Sequence, residues 1–355
     1  MKLLKPFKIL ASFLYWLAVA LRNKLYDWGI FKSKEFSMPI IVMGNITVGG
    51  TGKTPHTEFL VKTLSKEVEL AVLSRGYKRK TRGFHYVKSE STVREVGDEP
   101  LQMKRKFPEV TFAVEANRVK GIERLKRDME ELDVVLLDDA FQHRRLKPSL
   151  SIVLIDYNRP LHKDRMLPWG RLRDTRSQLK RADVVIITKC PDSLKPIDMK
   201  LLEKDTQLLP YQRLFLSKLS YGEPLAVFPG EAPALPDTDL LASAFVVTGI
   251  ATPAPFVEYV SKMVKKVGSL EFLDHHSFTK KDIDKLARVA KDYDVVFTTE
   301  KDATRLKELP LPDELKQRLF FIPIEVELIN GNDRFTKYII DYVRKNKRNN
   351  ILFTR

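Results

Sequence analysis

The feature that most restricts this chain is the run Gly44-Asn45-Ile46-Thr47-Val48-Gly49-Gly50-Thr51-Gly52-Lys53-Thr54. It follows the apolar run Ile40-Ile41-Val42-Met43 and opens a helix-compatible stretch from Lys53 to about Ser65. Strand, glycine-rich turn and helix in that order are the setting a Walker A phosphate loop requires. The glycines let successive backbone N–H groups point inward at the positive end of a helix, where phosphate is favoured. In this reading Thr47, Val48, Gly49, Gly50, Thr51 and Gly52 wrap the phosphates, Lys53 reaches the β- and γ-phosphates, and the Thr54 hydroxyl holds Mg²⁺. The strict pattern wants glycine where Thr47 stands, so Gly49 and Gly50 are expected to supply the flexibility. A plain glycine turn is the bland alternative, and the Gly-Lys-Thr that closes the run argues against it.

The pattern around the loop predicts an α/β chain with a P-loop NTPase-like, mostly parallel sheet covered by helices on both faces. Short continuous apolar runs recur at Leu70–Leu73, Thr111–Val114, Val134–Leu137, Ile152–Ile155 and Val184–Ile187, and helical stretches alternate with them, as parallel strands buried on both faces require. A charged helix is expected from about Asn117 to Glu131. A Pro-rich passage from Pro224 to Pro236 reads as a connector to a smaller C-terminal α/β lobe, with strands at Phe245–Thr248, Val295–Thr298 and Phe320–Ile322. At 355 residues the chain exceeds one ordinary core. The expected division is 1–35, 36–225 and 226–355.

Residues 1–35 predict an amphipathic membrane helix. From Ile9 to Leu21 only Ser12 is clearly polar, and that stretch is shorter than the roughly 20 residues a span needs. Ile9, Leu10, Phe13, Leu14, Trp16, Leu17, Ala20 and Leu21 recur at helical spacing, and seven Lys and Arg against two acidic residues surround them. Such a helix lies in an anionic membrane surface. A core helix is the competing reading; a signal peptide is disfavoured because Leu21-Arg22-Asn23-Lys24 lacks small residues for cleavage. The net charge of +16 favours anionic partners. No zinc-finger spacing, basic zipper or aromatic RNP signature points to nucleic acid, and no feature calls for an obligatory protein partner. The single Cys190 permits no internal disulfide.

Three acidic or histidine motifs carry chemistry. Val134–Leu137 followed by Asp138-Asp139 matches a Walker B strand, whose carboxylates face the ligand crevice and hold Mg²⁺ directly or through water. Gly97-Asp98-Glu99-Pro100 offers a group to accept a substrate hydroxyl proton, though Asp98 suits an N-cap equally well. Asp274-His275-His276-Ser277-Phe278 offers acid/base or polar-turn residues; no other His or Cys lies at ligand spacing, which argues against zinc. A GTPase base-reading motif begins at Thr188-Lys189, but Pro191 stands where aspartate is needed; a ParA/MinD-type membrane switch would place a lysine at Val48. Both switch readings miss a key residue.

The ordered motifs GNITVGGTGKTP, SRGYKR, GDEP, EANR, DDAFQHRRL, PWGRLRD, DHHSF and TTEKDATRL, from about residue 38 to 305, closely resemble the tetraacyldisaccharide 4'-kinase family. The resemblance implies ATP- and Mg²⁺-dependent phosphorylation of the 4'-hydroxyl of an acylated glucosamine disaccharide 1-phosphate lipid, in lipid A biosynthesis at the cytoplasmic face of the inner membrane. It implies a catalytic Asp98 assisted by His275, with His276 the lesser choice, and a metal-linked Asp138 and Asp139. Gln142 and Arg118 match phosphate-side contacts, and Arg75 and Arg171 match contacts to the 1-phosphate or the transferred group.

Overall fold

The computed structural model describes residues 5–232, 241–329 and 331–353. In chain order its strands are β1 (Ile40–Asn45), β2 (Leu70–Ser74), β3 (His85–Val87), β4 (Thr111–Val114), β5 (Val134–Asp138), β6 (Leu150–Asp156) and β7 (Val184–Thr188). They continue as β8 (Arg213–Tyr221), β9 (Leu225–Ala226), β10 (Ser243–Thr248), β11 (Lys266–Glu271), β12 (Val295–Thr299), β13 (Leu319–Ile322) and β14 (Ile324–Leu328). The larger sheet runs β14-β8-β7-β6-β1-β5-β2-β4-β3 and the smaller runs β11-β10-β12-β13-β9. All pairs from β8 to β4 are parallel, and antiparallel β14 and β3 close the two edges. The fold is thus the expected α/β class with mostly parallel sheets.

Alternation along β1 shows why its apolar run is continuous. Ile41 and Met43 pack against Leu60, Val61 and Leu64 of the helix Lys53–Leu64 on one face. Ile40 and Val42 pack with Ile122 and Leu125 of the helix Arg118–Asp128 on the other. With successive side chains pointing to opposite faces, a strand covered on both needs apolar residues throughout. The register sets Met43 beside Asp138, so β1 and β5 deliver the glycine-rich loop and the acidic pair to the same end of the sheet.

The division expected at 226 does not hold to the chain end. β13 closes the smaller sheet at Ile322, and then β14 pairs antiparallel with β8 of the larger one. The helix Asn332–Phe353 follows, and its Phe335, Ile339 and Val343 complete the larger sheet's core. The alternating Ile324-Glu325-Val326-Glu327-Leu328 is the pattern of a half-exposed edge strand. Of the Pro-rich connector, residues 225–226 form β9, and 233–236 lie outside the described residues.

The N-terminal helix spans Lys5–Asp27. It turns its polar edge inward: Ser12 donates to the Met166 carbonyl (2.9 Å), Tyr15 to the Arg173 carbonyl (3.1 Å), and Asn23 to Asp174 (2.8 Å). Ile9, Leu10, Phe13, Leu14, Trp16, Leu17 and Leu21 stay exposed, with Trp28, Ile30, Phe31 and Trp169 nearby in sequence or docked beside them. The core-helix reading fails because the apolar face points outward. No helix among the described residues is long and apolar enough to cross a membrane.

Candidate active site

The loop after β1 is built to leave its inner surface open. Gly49 and Gly52 take positive φ, 90° and 83°, which a side chain would resist; Gly50 does not, so the flexibility expected of it falls to Gly52. Asn45 donates to the Thr51 hydroxyl (2.7 Å), and the Thr188 hydroxyl at the end of β7 donates to the Thr51 carbonyl (2.9 Å). Buried His56 ties the start of the next helix down: Nδ1 lies 2.7 Å from the Gly52 carbonyl and Nε2 2.8 Å from the Ser217 hydroxyl on β8. Burial, the largest influence, pushes His56 down to about 4. Lys189 spans Asp156 (2.9 Å) and the Gly50 carbonyl.

The 164–174 segment forms one wall. The Val48 N–H donates to the Arg171 carbonyl (2.7 Å), and Thr47 bridges Leu172. The guanidinium groups of Arg159 and Arg171 come to 3.5 and 4.0 Å from where a Cβ on Gly49 would stand. Arg173 holds Asp139 and Asn45. Thus the same segment carries the inner edge of the N-terminal helix and the rim of the glycine-rich loop.

Asp138 and Asp139 both face this loop. Lys53 Nζ lies 3.9 Å from Asp139 Oδ2, a loose pairing. Burial acts against ionised Asp139, but Lys53 and Arg173 outweigh it and hold it at about 2. Asp138 accepts from Thr57 at 3.1 Å. Burial first, then the charges of Glu99 and Asp139, push it up to about 7. Such an excess of negative charge suits a hard cation. Among the described residues no group of three or more His, Cys, Asp or Glu side chains is placed to cage a metal. Mg²⁺ seldom uses such a cage; it takes one or two carboxylates and completes its shell with waters and phosphate oxygens. Thr54, Asp138 and Asp139 fit that donor set.

Asp98 and His275 meet across the two lobes, with Asp98 Oδ2 2.8 Å from His275 Nδ1. Asp98 is the first residue of the helix Asp98–Lys106, whose N-cap is Gly97, so it is not the cap its position allowed. Burial would raise Asp98, but the His275 hydrogen bond and the Lys301 and Arg305 charges outweigh it and hold it at about 2. His276 turns away to Asp282 (3.0 Å) and stacks on Phe272.

The four remaining residues divide. Arg118 is buried and donates to the carbonyls of Glu115, Ala116 and Asp138, at 3.0, 3.2 and 3.4 Å. Gln142 donates to the Asn45 carbonyl (2.6 Å). Both hold backbone at the rim. Arg75 is exposed, and its charge reaches Arg118 and His143. Arg171 borders the loop as described. Arg159, Arg173, Lys189, Lys301 and Arg305 were not among the site residues expected from the sequence; Arg173 sits in a quoted motif, and Lys301 and Arg305 in another, but nothing local marked their partners.

Against known proteins, the family model described as tetraacyldisaccharide-1-P 4'-kinase matches residues 3–344. A tetraacyldisaccharide 4'-kinase of Bacteroides thetaiotaomicron is 48% identical over 357 residues, covering 95% of this chain and 93% of that one. One of Flavobacterium johnsoniae is 38% identical, covering 97% and 98%. A crystal structure of LpxK from Aquifex aeolicus in complex with ATP superposes with a TM-score of 0.71 at 27% identity, over 96% of this chain and 99% of that one.

Proposed function

The chain belongs to the tetraacyldisaccharide 4'-kinase family of lipid A biosynthesis, and from that premise we propose how its residues divide the work of moving the γ-phosphoryl group of ATP to a sugar 4'-hydroxyl. The backbone of Thr47–Gly52 cradles the phosphates and Lys53, only loosely paired with Asp139, reaches the β- and γ-oxygens. Thr54, Asp138 and Asp139 would hold Mg²⁺, which would supply neutralisation of charge on the phosphate oxygens. Arg159 and Arg171 border the same cradle.

The observation that carries the mechanism is the 2.8 Å pairing of Asp98 with His275. Phosphoryl transfer asks chiefly for positioning and for somewhere to put the hydroxyl proton. Ionised Asp98 accepts that proton and His275 orients the carboxylate. The smaller lobe reaches over the phosphate loop, with Ala251 near Gly50 and Thr252 bonded to Arg159 (3.4 Å), which helps exclude water.

The acceptor is an acylated glucosamine disaccharide 1-phosphate lying in the cytoplasmic leaflet of the inner membrane. The outward apolar face of Lys5–Asp27 enters that anionic surface while its polar edge rests on the wall of the phosphate site. A lipid hydroxyl is thereby met at the membrane instead of being drawn into water. A ParA/MinD-type switch is not favoured by the family match.

The test is a double-mutant cycle. Asp98→Ala and His275→Ala should each lower kcat on the order of 10²-fold or more with ATP binding nearly unchanged, and the double variant should be little worse than the poorer single. Losses that multiply would mean the two act separately.

A further inference from the structure

Most cations around the phosphate loop are already engaged. Arg173 grips Asp139 and Asn45, Lys189 is shared between Asp156 and the Gly50 carbonyl, and Arg118 is spent on backbone carbonyls. Arg159 and Arg171 are different. Among the described residues no carboxylate pairs with either guanidinium. Yet both stand beside Gly49, whose positive φ and missing side chain leave the approach open. Half-buried Arg159 thus carries an uncompensated charge at the mouth of the loop, an arrangement suited to an anionic ligand.

Arg159 is the better aimed of the two. A turn after β6 sets its backbone: the Arg159 N–H donates to the Asp156 carbonyl (2.9 Å) and the Asn158 N–H to Asp156 Oδ1 (3.0 Å), while Lys189 takes Oδ2 (2.9 Å). The Asp156 carboxylate is thereby engaged before it can neutralise Arg159. One arm of the guanidinium, Nη2, donates to the Thr252 hydroxyl (3.4 Å), and the other, Nη1, is left over the loop, 3.5 Å from where a Gly49 Cβ would stand. Arg171 is more exposed, and its Nη1 stands at 4.0 Å from the same point. Thr252 belongs to the loop after β10 that also carries Gly249, whose carbonyl accepts the His275 N–H (3.1 Å). The elements that touch Gly49 therefore lead one way, through Thr252, to the residue paired with Asp98. They lead the other way, along the 164–174 wall, to Arg173 and Asp139. That is the end of a phosphate cradle at which the γ-phosphoryl group changes hands.

We propose that Arg159 is a further catalytic residue: aimed by Thr252, its Nη1 meets the oxygens of the γ-phosphoryl group in transit. In that step the bond between the γ-phosphorus and the β–γ bridging oxygen breaks and a bond to the sugar 4'-oxygen forms. ADP leaves with the electron pair, and the hydroxyl proton goes to Asp98. Arg159 gives up no proton, because a guanidinium stays charged at any working pH. It offers fixed charge and N–H donors where negative charge gathers. This inference rests on the reading of residues 47–54 as an ATP phosphate cradle.

The test measures ADP binding by the full chain, with Mg²⁺ and the acylated disaccharide 1-phosphate in mixed micelles, with and without fluoroaluminate. That anion, beside ADP, imitates the phosphoryl group in transit. In the wild type fluoroaluminate should tighten ADP binding on the order of 10²-fold. In Arg159→Ala, ADP alone should bind as in the wild type and the fluoroaluminate gain should vanish. Its kcat should fall on the order of 10³-fold, with KM for ATP nearly unchanged, and Arg159→Lys should recover only part of both losses. Thr252→Val, which removes the aim and keeps the charge, should cost on the order of 10-fold in kcat and add nothing to Arg159→Ala. If Arg159→Ala weakens ADP alone as much as ADP with fluoroaluminate, Arg159 is an ordinary diphosphate ligand; if the fluoroaluminate gain is undiminished, it stands outside the transfer. Either overturns the proposal. A wild type that binds no ADP would instead sink the cradle reading itself, so the two failures are distinguishable.

Discussion

Replacing Leu10, Phe13 and Leu17 together by glutamine tests the membrane contact proposed for the N-terminal helix. The three lie on one face, 56%, 55% and 48% exposed, and none makes the docking bonds, which belong to Ser12, Tyr15 and Asn23. Full burial of such a side chain stabilises by about 1.5–3 kcal/mol. About half of each remains open to a bilayer, so each contributes ~1 kcal/mol to binding and the three together ~3 kcal/mol. At about 1.4 kcal/mol per tenfold, the variant should bind roughly 100-fold more weakly. Glutamine keeps helix propensity, so thermal stability should move little. The assay is co-sedimentation with vesicles of anionic phospholipid, alongside KM for lipid in mixed micelles, which should rise with kcat retained. Wild-type sedimentation of the triple variant would refute the reasoning. So would a large fall in stability, which would mean the face is packed after all.

Two further outcomes follow from the site. Lys53→Ala should lower kcat on the order of 10²-fold or more, read as initial rates with folded protein, because one preorganised phosphate contact is lost; near-normal turnover would remove the phosphate-loop assignment. His56 has a folded-state pKa below its unfolded one, so the unfolded chain binds the extra proton first and stability falls as pH drops from 6.5 toward about 4. Between pH ~7.5 and ~5 the wild type should lose about 2 kcal/mol that His56→Gln does not. Denaturant unfolding at both pH values checks this, and parallel losses in the two proteins would contradict it.

Much of the site was legible because its parts are local. The glycine-rich loop, Asp138-Asp139 at the end of an apolar run, and the exposed helix face each declare themselves within a dozen residues. Pairings between distant segments do not. Asp98 and His275 stand 177 positions apart, and only the folded chain shows that His275 is the partner while His276 is held by Asp282. Arg173 reads like Arg171 in sequence, yet one grips Asp139 and the other borders Gly49. The return of β14 to the larger sheet was hidden because five alternating residues look the same at either sheet's edge; the buried Phe335, Ile339 and Val343 decide which sheet they serve.

ATP turnover and lipid phosphorylation are expected to be one event in this chain. The measurement is transfer of ³²P from the γ-position of ATP to the acylated disaccharide 1-phosphate in mixed micelles, with free phosphate counted in parallel. One labelled phosphate on the 4'-hydroxyl per ATP consumed, and almost no ATP consumption without the lipid, is the expected result. Equal ATP hydrolysis with and without the lipid, or label released only as free phosphate, would contradict it.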